Sequence, residues 1–505
     1  MLTSAQAKAW EAALLKDDTA EWDAMQRAGA SLAVAVAEDY REIGGLPQNA
    51  RILILAGKGH NGGDALLAAA ELLRRFRQAT ADVVCAFGET ALRPLPRRAL
   101  TELRDADHRV RVRMMPASMS REIHDATYDL CLDGIFGFQF RAPMDAATAE
   151  LIEAVNAHRG IRFRAAVDLP SGVGEVNAST VFRADFTYAT GIVKQPVLSP
   201  ATAASVGRLR YLDLGFFSAG EPSGSRERIL TAEVLAPLTT LRSSQTDKRS
   251  FGHLLVVGGS RSYPGAVVLA VRAALRSGVG LVTAFVPERL APEYAARYPE
   301  AMWVGCPETA KGGLAAGTVE LIQERLSRAT ALLMGPGMSA EPEVLRTMEA
   351  IVRNTNIPLV LDADALRPEV MAATSDKSVI CTPHAGEYQR LGGRAGLQPA
   401  SGSTDVVAVL KGPLTRVVGE TGRSESGHTY YSPFGGPVLA RGGSGDILAG
   451  LIGGLLAQKP DELLLAACRG VVWHGRAADL LARTRGQVAV ELSEILEQLG
   501  PALHS

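Results

Sequence analysis

A chain of 505 residues exceeds what one hydrophobic core ordinarily organises, so two large domains are expected. Its 53 Lys and Arg nearly cancel its 54 Asp and Glu, which removes any net field toward nucleic acid or an anionic membrane. With 47% hydrophobic residues the chain is not disordered, and Cys85, Cys131, Cys306, Cys381 and Cys468, free of CxxC or metal-ligand spacing, read as reduced core thiols.

The opening segment, MLTSAQAKAWEAALLKDD, mixes charge with short apolar pieces and lacks the unbroken apolar stretch of a secretory signal. Apolar, β-rich runs then alternate with helical patterns: Arg51 to Ala56, Ala81 to Phe87, Tyr128 to Leu132, Phe163 to Val167 and Ala184 to Thr190. This alternation predicts a parallel sheet covered on both faces. Between Gly215 and Arg226 the composition turns to Ser, Gly, Glu and Pro, marking a surface loop and a boundary between domains 1–220 and 221–505. The alternation restarts with His253 to Val257, Gly280 to Val286, Ala331 to Met334, Pro358 to Leu361, Val379 to Cys381 and Val407 to Leu410. In both halves the sheet should be parallel or nearly so, with ligands outside the carboxyl ends of its strands. The run Ile447 to Ala457 is glycine-broken and shorter than the roughly 20 residues of a membrane-spanning helix. No membrane partner and a cytoplasmic location are expected.

The first motif is GKGHNGGD, Gly57 to Asp64, between a strand and the helical pattern ALLAAAELLRRF. Backbone N–H groups and a helix start converge there, where an anion could sit. Gly57, Gly59 and Gly62 fit GxGxxG, but Asp82 opens the next strand instead of ending it, which disfavours an ordinary dehydrogenase. An Asx-type turn capping the helix is the bland alternative. Asp133 in LCLDGIFGFQF and Asp168 in AAVDLPSG also end strands. With Asn61 and Ser171 they offer hard oxygen ligands for a cation and one carboxylate spare for proton transfer.

GKGHNGGDA, LDGIFGFQF, VDLPSG and the early QRAG resemble, in order, the signatures of the NAD(P)H-hydrate epimerase domain. The resemblance implies a Rossmann-like three-layer α/β/α fold, potassium held by Asn61, Asp133 and Ser171, and Asp168 as a catalytic and substrate-binding residue. It also implies a substrate site formed by His60, Asn61, Gly62, Gly63 and Asp64 with Gly137, Phe138, Gln139, Phe140, Arg141, Ala142 and Pro143. The chain departs from the family pattern at Lys58, His60 and Ala65, and in GVGEVNAS after Ser171. A neutral His60 could replace an amide hydrogen bond, and its protonation could make substrate binding pH-dependent.

In the second half, HLLVVGGS leads into YPGAVVLAVRAALRSGVGLV, and GPG (Gly335 to Gly337), TPHAGE (Thr382 to Glu387), VLKGPLT (Val409 to Thr415) and ARGGSGDILAG (Ala440 to Gly450) follow. Gly442 to Gly445 place backbone donors at the start of a helix with Asp446 in its first turn. An anion hole beside a carboxylate suits phosphoryl transfer to a hydroxyl, while a plain helix cap is the alternative. In order, these motifs resemble the NAD(P)H-hydrate dehydratase family, of ribokinase-like α/β/α fold. That resemblance implies substrate contacts from Ala266, Gly337, His384 and the catalytic Asp446, and adenine-nucleotide contacts from Lys411, Gly412, Pro413, Leu414, Thr415 and Gly445. His384 could instead be a core histidine satisfied by backbone. Ser444 stands for the usual Thr, and Gly435 and Gly436 where an Asn is usual.

The whole chain is thus expected to be an α/β bifunctional repair enzyme, epimerising hydrated NAD(P)H and dehydrating the S form with ADP or ATP. Potassium and magnesium are the expected ions, hydrated NADH or NADPH and an adenine nucleotide the partners, and a homo-oligomer the assembly. Two other readings are a ribokinase-like small-molecule kinase and a dehydratase whose first domain is a non-catalytic binding module.

Overall fold

The strand β1 (Arg51–Ala56) has no polar alternation because both of its faces are covered. Ile52, Ile54 and Ala56 enter one core, and Leu53 and Leu55 enter another on the opposite face. In a computed structural model of the chain, which describes residues 1–106, 109–114, 126–218, 220–222, 225–393, 405–420 and 427–504, the chain forms two α/β units, one of Met1–Ser225 with Arg483–Gly486 and one of the remainder. Of the expected boundary loop, Ala219, Ser223 and Gly224 lie outside the described residues.

The first unit adds β2 (Thr80–Cys85), β3 (Val110–Met114), β4 (Tyr128–Gly134), β5 (Ile161–Val167), β6 (Phe186–Thr190) and β7 (Arg208–Leu212). Their order is β3-β2-β1-β4-β5-β6-β7, and every pairing is parallel. The chain runs outward from β1 through β2 to β3, then returns to β4 on the other flank of β1. The carboxyl ends of β1 and β4 therefore bound a topological switch point, where a crevice opens.

The second unit contains β8 (Glu227–Ile229), β9 (His253–Val257), β10 (Leu281–Pro287), β11 (Met302–Cys306), β12 (Ala331–Met334), β13 (Leu359–Leu361), β14 (Val379–Cys381), β15 (Val406–Leu410), β16 (Thr415–Glu420) and β17 (Thr429–Ser432). Their order is β11-β10-β9-β12-β13-β14-β15-β16-β17-β8. Leu254 and Val256 face a core shared with helices Pro264–Arg276 and Ser444–Gln458, whereas Leu255 and Val257 face the core beneath Pro342–Arg353. This period-two division makes three layers. β16 pairs antiparallel with both β15 and β17, so the expectation of a parallel sheet holds from β11 to β15 and ends at that edge. Among the described residues no helix is long and apolar enough to cross a membrane.

Candidate functional site

The first site is built where the loops after β1 and β4 touch. A Cβ on Gly57 would lie 1.8 Å from the Ile135 carbonyl oxygen, and one on Gly62 would lie 2.3 Å from that of Gly57. Only glycine permits this approach. Helix His60–Arg75 starts there, and Asn61 Nδ2 donates to the Phe136 carbonyl at 2.8 Å. Phe136 N–H in turn donates to Ser171 Oγ at 2.9 Å, and Ser171 donates to both oxygens of Asp133, through Oγ at 2.6 Å and its N–H at 2.7 Å. Asn61, Ser171 and Asp133, from three strand ends, are thus one connected set. Asp133 is fully buried, and burial pushes its carboxyl up to about 6 despite the hydrogen bonds from Ser171 and Ile135. The groups that hold it are neutral, so a monovalent cation fits this oxygen set.

A cavity of about 480 Å³ opens beside these residues. His60, Asn61, Asp64, Asp168, Pro143 and residues 137–141 line it. Gly62, Gly63 and Ala142 are not among its lining; Gly62 and Gly63 serve close packing, with Met25 against Gly63. His60 faces Glu21, Nε2 to Oε2 at 3.2 Å. Asp168 takes a left-handed backbone conformation, φ 63°, and its Oδ1 accepts from Lys194 Nζ at 2.6 Å. Lys194 is buried; burial opposes its charge, but Asp168 and Glu11 outweigh that and hold the ammonium above its ordinary range. Among the described residues Asp64 Oδ1 has no hydrogen-bond partner, and burial, reinforced by Asp168 and Glu11, drives its carboxyl well above the usual carboxylate range. Sequence reasoning missed Lys194 and Glu11. The one available signal was a lysine inside the apolar run GIVKQPV after a strand.

In the second unit the strand ends again supply the polar groups. Asp362, directly after β13, accepts from Thr382 Oγ1 at 2.6 Å and from Lys411 Nζ at 2.8 Å. Burial works against the Lys411 ammonium, but Asp362, Glu387 and Asp446 together hold it above its ordinary range. A Cβ on Gly445 would lie 3.0 Å from Lys411 Nζ, which places Lys411 against the start of helix Ser444–Gln458. Asp446 stands in its first turn, and burial followed by repulsion from Asp362 pushes its carboxyl up to about 7, with Lys411 opposing.

A β-bridge joins His384 to Lys411. His384 caps helix Ala385–Arg390 through Nδ1, and its Nε2 lies 3.2 Å from Glu387 Oε1. Its side chain is 58% exposed, so it is not a core histidine, although its Nδ1 is satisfied by the backbone N–H groups of Gly386 and Glu387. Gly337, φ +66°, lies against Ala266, whose Cβ would be 3.0 Å from a Cβ at 337. Gly412 and Thr415 form an exposed turn, Thr415 Oγ1 donating to Gly412 O at 3.3 Å. Asp362 was missed from sequence although it ends a strand as Asp133 and Asp168 do.

Two doubly wound units, one with a buried carboxylate cavity at its switch point and one with a glycine-rich helix start beside a buried carboxylate, define a two-site α/β enzyme. The model of the NAD(P)H-hydrate dehydratase family matches residues 254–500, and that of the YjeF-related protein N-terminus matches residues 22–196. The chain belongs to the family of bifunctional NAD(P)H-hydrate repair enzymes. Its relatives of that description include one from Gloeobacter violaceus, 36% identical over 100% of this chain and 97% of the relative. Another is from Moorella thermoacetica, 32% identical over 94% of this chain and 91% of the relative. A third, from Escherichia coli, is 30% identical over 88% and 84%. A solved ribokinase-like superfamily protein from Enterococcus faecalis is 26% identical over 56% of this chain and 98% of its own, with a TM-score of 0.46.

Proposed function

We propose that the two sites act in sequence on one damaged cofactor. The first unit interconverts the R and S forms of hydrated NAD(P)H, and the second dehydrates the S form to NAD(P)H at the expense of ADP or ATP. Family membership over the full chain supports both activities. The observation that carries the residue assignments is that each unit brings one carboxylate, Asp168 or Asp446, to a strand-end or helix-start site.

In the first unit the cavity would receive the hydrated nicotinamide, with His60 to Asp64 and Gly137 to Pro143 around it. Asp168, fixed by Lys194, would serve as the acid or base for inversion at the hydroxyl-bearing carbon. Asn61, Asp133 and Ser171 would hold potassium, which supplies the counter-charge for the buried carboxylate. In the second unit Asp446 would take the proton of the substrate hydroxyl as phosphate is placed on it. The backbone donors of residues 442–445 and Lys411 would stabilise charge on the transferred group. Departure of phosphate with the C–O electron pair, together with loss of a proton from the adjacent ring carbon, then forms the ring C=C bond and restores the dihydronicotinamide. Ala266, Gly337 and His384 would contact the hydrated dinucleotide, and residues 411–415 with Gly445 the adenine nucleotide. Phosphate charge needs a counter-ion, and magnesium would arrive with the nucleotide. A cytoplasmic location and a homo-oligomeric assembly belong to the same reading.

Separated epimers test the division of labour. Asp168→Asn should lose epimer exchange yet still dehydrate the pure S form, and Asp446→Ala should show the reverse. Asp168→Asn exchanging epimers at the wild-type rate, or Asp446→Ala with unchanged turnover, would remove that residue's role.

A further inference from the structure

The match to the first family model begins at residue 22, yet Glu11, which precedes it, lines the cavity of the first unit. The opening segment reaches that cavity by a defined route. Leu2 forms a parallel β-bridge with Lys194: its N–H donates to Val193 O at 3.1 Å, and its carbonyl accepts from Gln195 N at 2.9 Å. Helix Ser4–Leu14 then starts on a reciprocal cap between Thr3 and Gln6. Trp10 ties its far end, with the indole N–H donating to Phe216 O at 3.0 Å and the ring stacked on Phe217. One residue later Glu11 Oε1 stands 3.6 Å from Lys194 Nζ, whose other partner is Asp168 Oδ1 at 2.6 Å.

The charges in this cluster are unequal. Lys194 is one cation, with a side chain 1% exposed, among Glu11, Asp168 and Asp64. Neutralising a buried ammonium takes one carboxylate, and Asp168 is the nearer. Burial lifts the Glu11 carboxyl above its ordinary range; Lys194 opposes this, while Asp168 and Glu21 add to it. Glu11 is therefore placed to carry a proton where Asp168 is placed to accept one.

We propose that Glu11 is a second proton-transferring group of the epimerase site, coupled to Asp168 through the ammonium of Lys194. The inference rests on the epimerase reading of this unit. Inverting the hydrated ring carbon calls for an acid and a base together. Glu11 gives its proton to the hydroxyl, the C–O bond breaks with its electron pair leaving on water, and the lone pair of the ring nitrogen forms a C=N bond. Water adds to the opposite face, the C=N pair returns to nitrogen, and Asp168 takes the surplus proton. Lys194 hands a proton to Glu11 and takes one from Asp168, which resets the site. One water leaves and one enters, with no oxidation or reduction. Lys194 is in this scheme also the positioning residue for both carboxyl groups.

The test measures epimer exchange against pH in the full-length protein for wild type, Glu11→Gln and Glu11→Asp, with dehydration of the pure S form confirming sound protein. Glu11→Gln should lower kcat about 100-fold or more, with KM nearly unchanged, and abolish the alkaline limb of the pH profile. That limb exists because the donor fails as pH rises through its pKa. Glu11→Asp should restore part of the rate with a displaced limb, and this variant decides the matter if Glu11→Gln does not fold. Exchange at the wild-type rate, a loss confined to KM, or an unaltered bell shape in either variant overturns the proposal. Wild-type protein without epimer exchange would instead defeat the parent reading.

Discussion

Asp446 is the proposed base of the second activity. A carboxyl raised to about 7 by burial and Asp362 is protonated below that pH and cannot accept the substrate's hydroxyl proton. Dehydratase kcat/KM should therefore rise with pH through about 7 and level above it, and Asp446→Asn should lose the activity by about 100-fold or more. A profile that is flat from acid to neutral pH would contradict this assignment. The candidate carboxylates were legible in the sequence because Asp133 and Asp168 end apolar strand-like runs and lead into glycine-containing loops, and Asp446 follows a glycine cluster at a helix start. Lys194 and Glu11 were not, since their roles come from ion pairs between distant positions. Asp168 and Lys194 are 26 residues apart, and no local spacing records such a pairing.

Among the elements, the strand–loop–helix unit around Gly57 is the least tolerant of change. A methyl group there would meet the Ile135 carbonyl at 1.8 Å, and backbone, unlike the tip of a side chain, yields only by moving β1 away from β4. Gly57→Ala should cost the first unit about 1–3 kcal/mol in denaturant unfolding and open the cavity enough to lose epimer exchange. Wild-type stability would show that the two loops separate freely. Central strands were readable as continuous apolar runs, because burial on both faces demands them. The edge strands were not: β3 reads VRVRM and β7 reads RLRYL, and in β7 the charge is accommodated by ion pairs, Arg210 with Asp39 at 3.0 Å and Arg208 with Glu42 at 2.6 Å, that no local spacing records. The antiparallel turn into β16 was likewise unread, since it lies within a segment taken only as the nucleotide-binding loop.

For the molecule as a whole, the cysteines are buried in the cores on the two faces of each sheet. All five are free and buried. Burial pushes Cys85 and Cys306 up to about 11 and Cys381 and Cys468 up to about 12, with Cys131 raised further. The native protein should leave a thiol reagent unreacted at neutral pH, and all five thiols should react once it is unfolded; rapid labelling of the native state would contradict the packing. The central claim concerns both units at once and is tested by supplying a mixed-epimer NADH hydrate with ADP or ATP and magnesium while following the dihydronicotinamide absorbance. Complete recovery, faster than spontaneous epimerisation permits, is the predicted result; recovery that stops when one epimer is consumed, or no recovery at all, would contradict it.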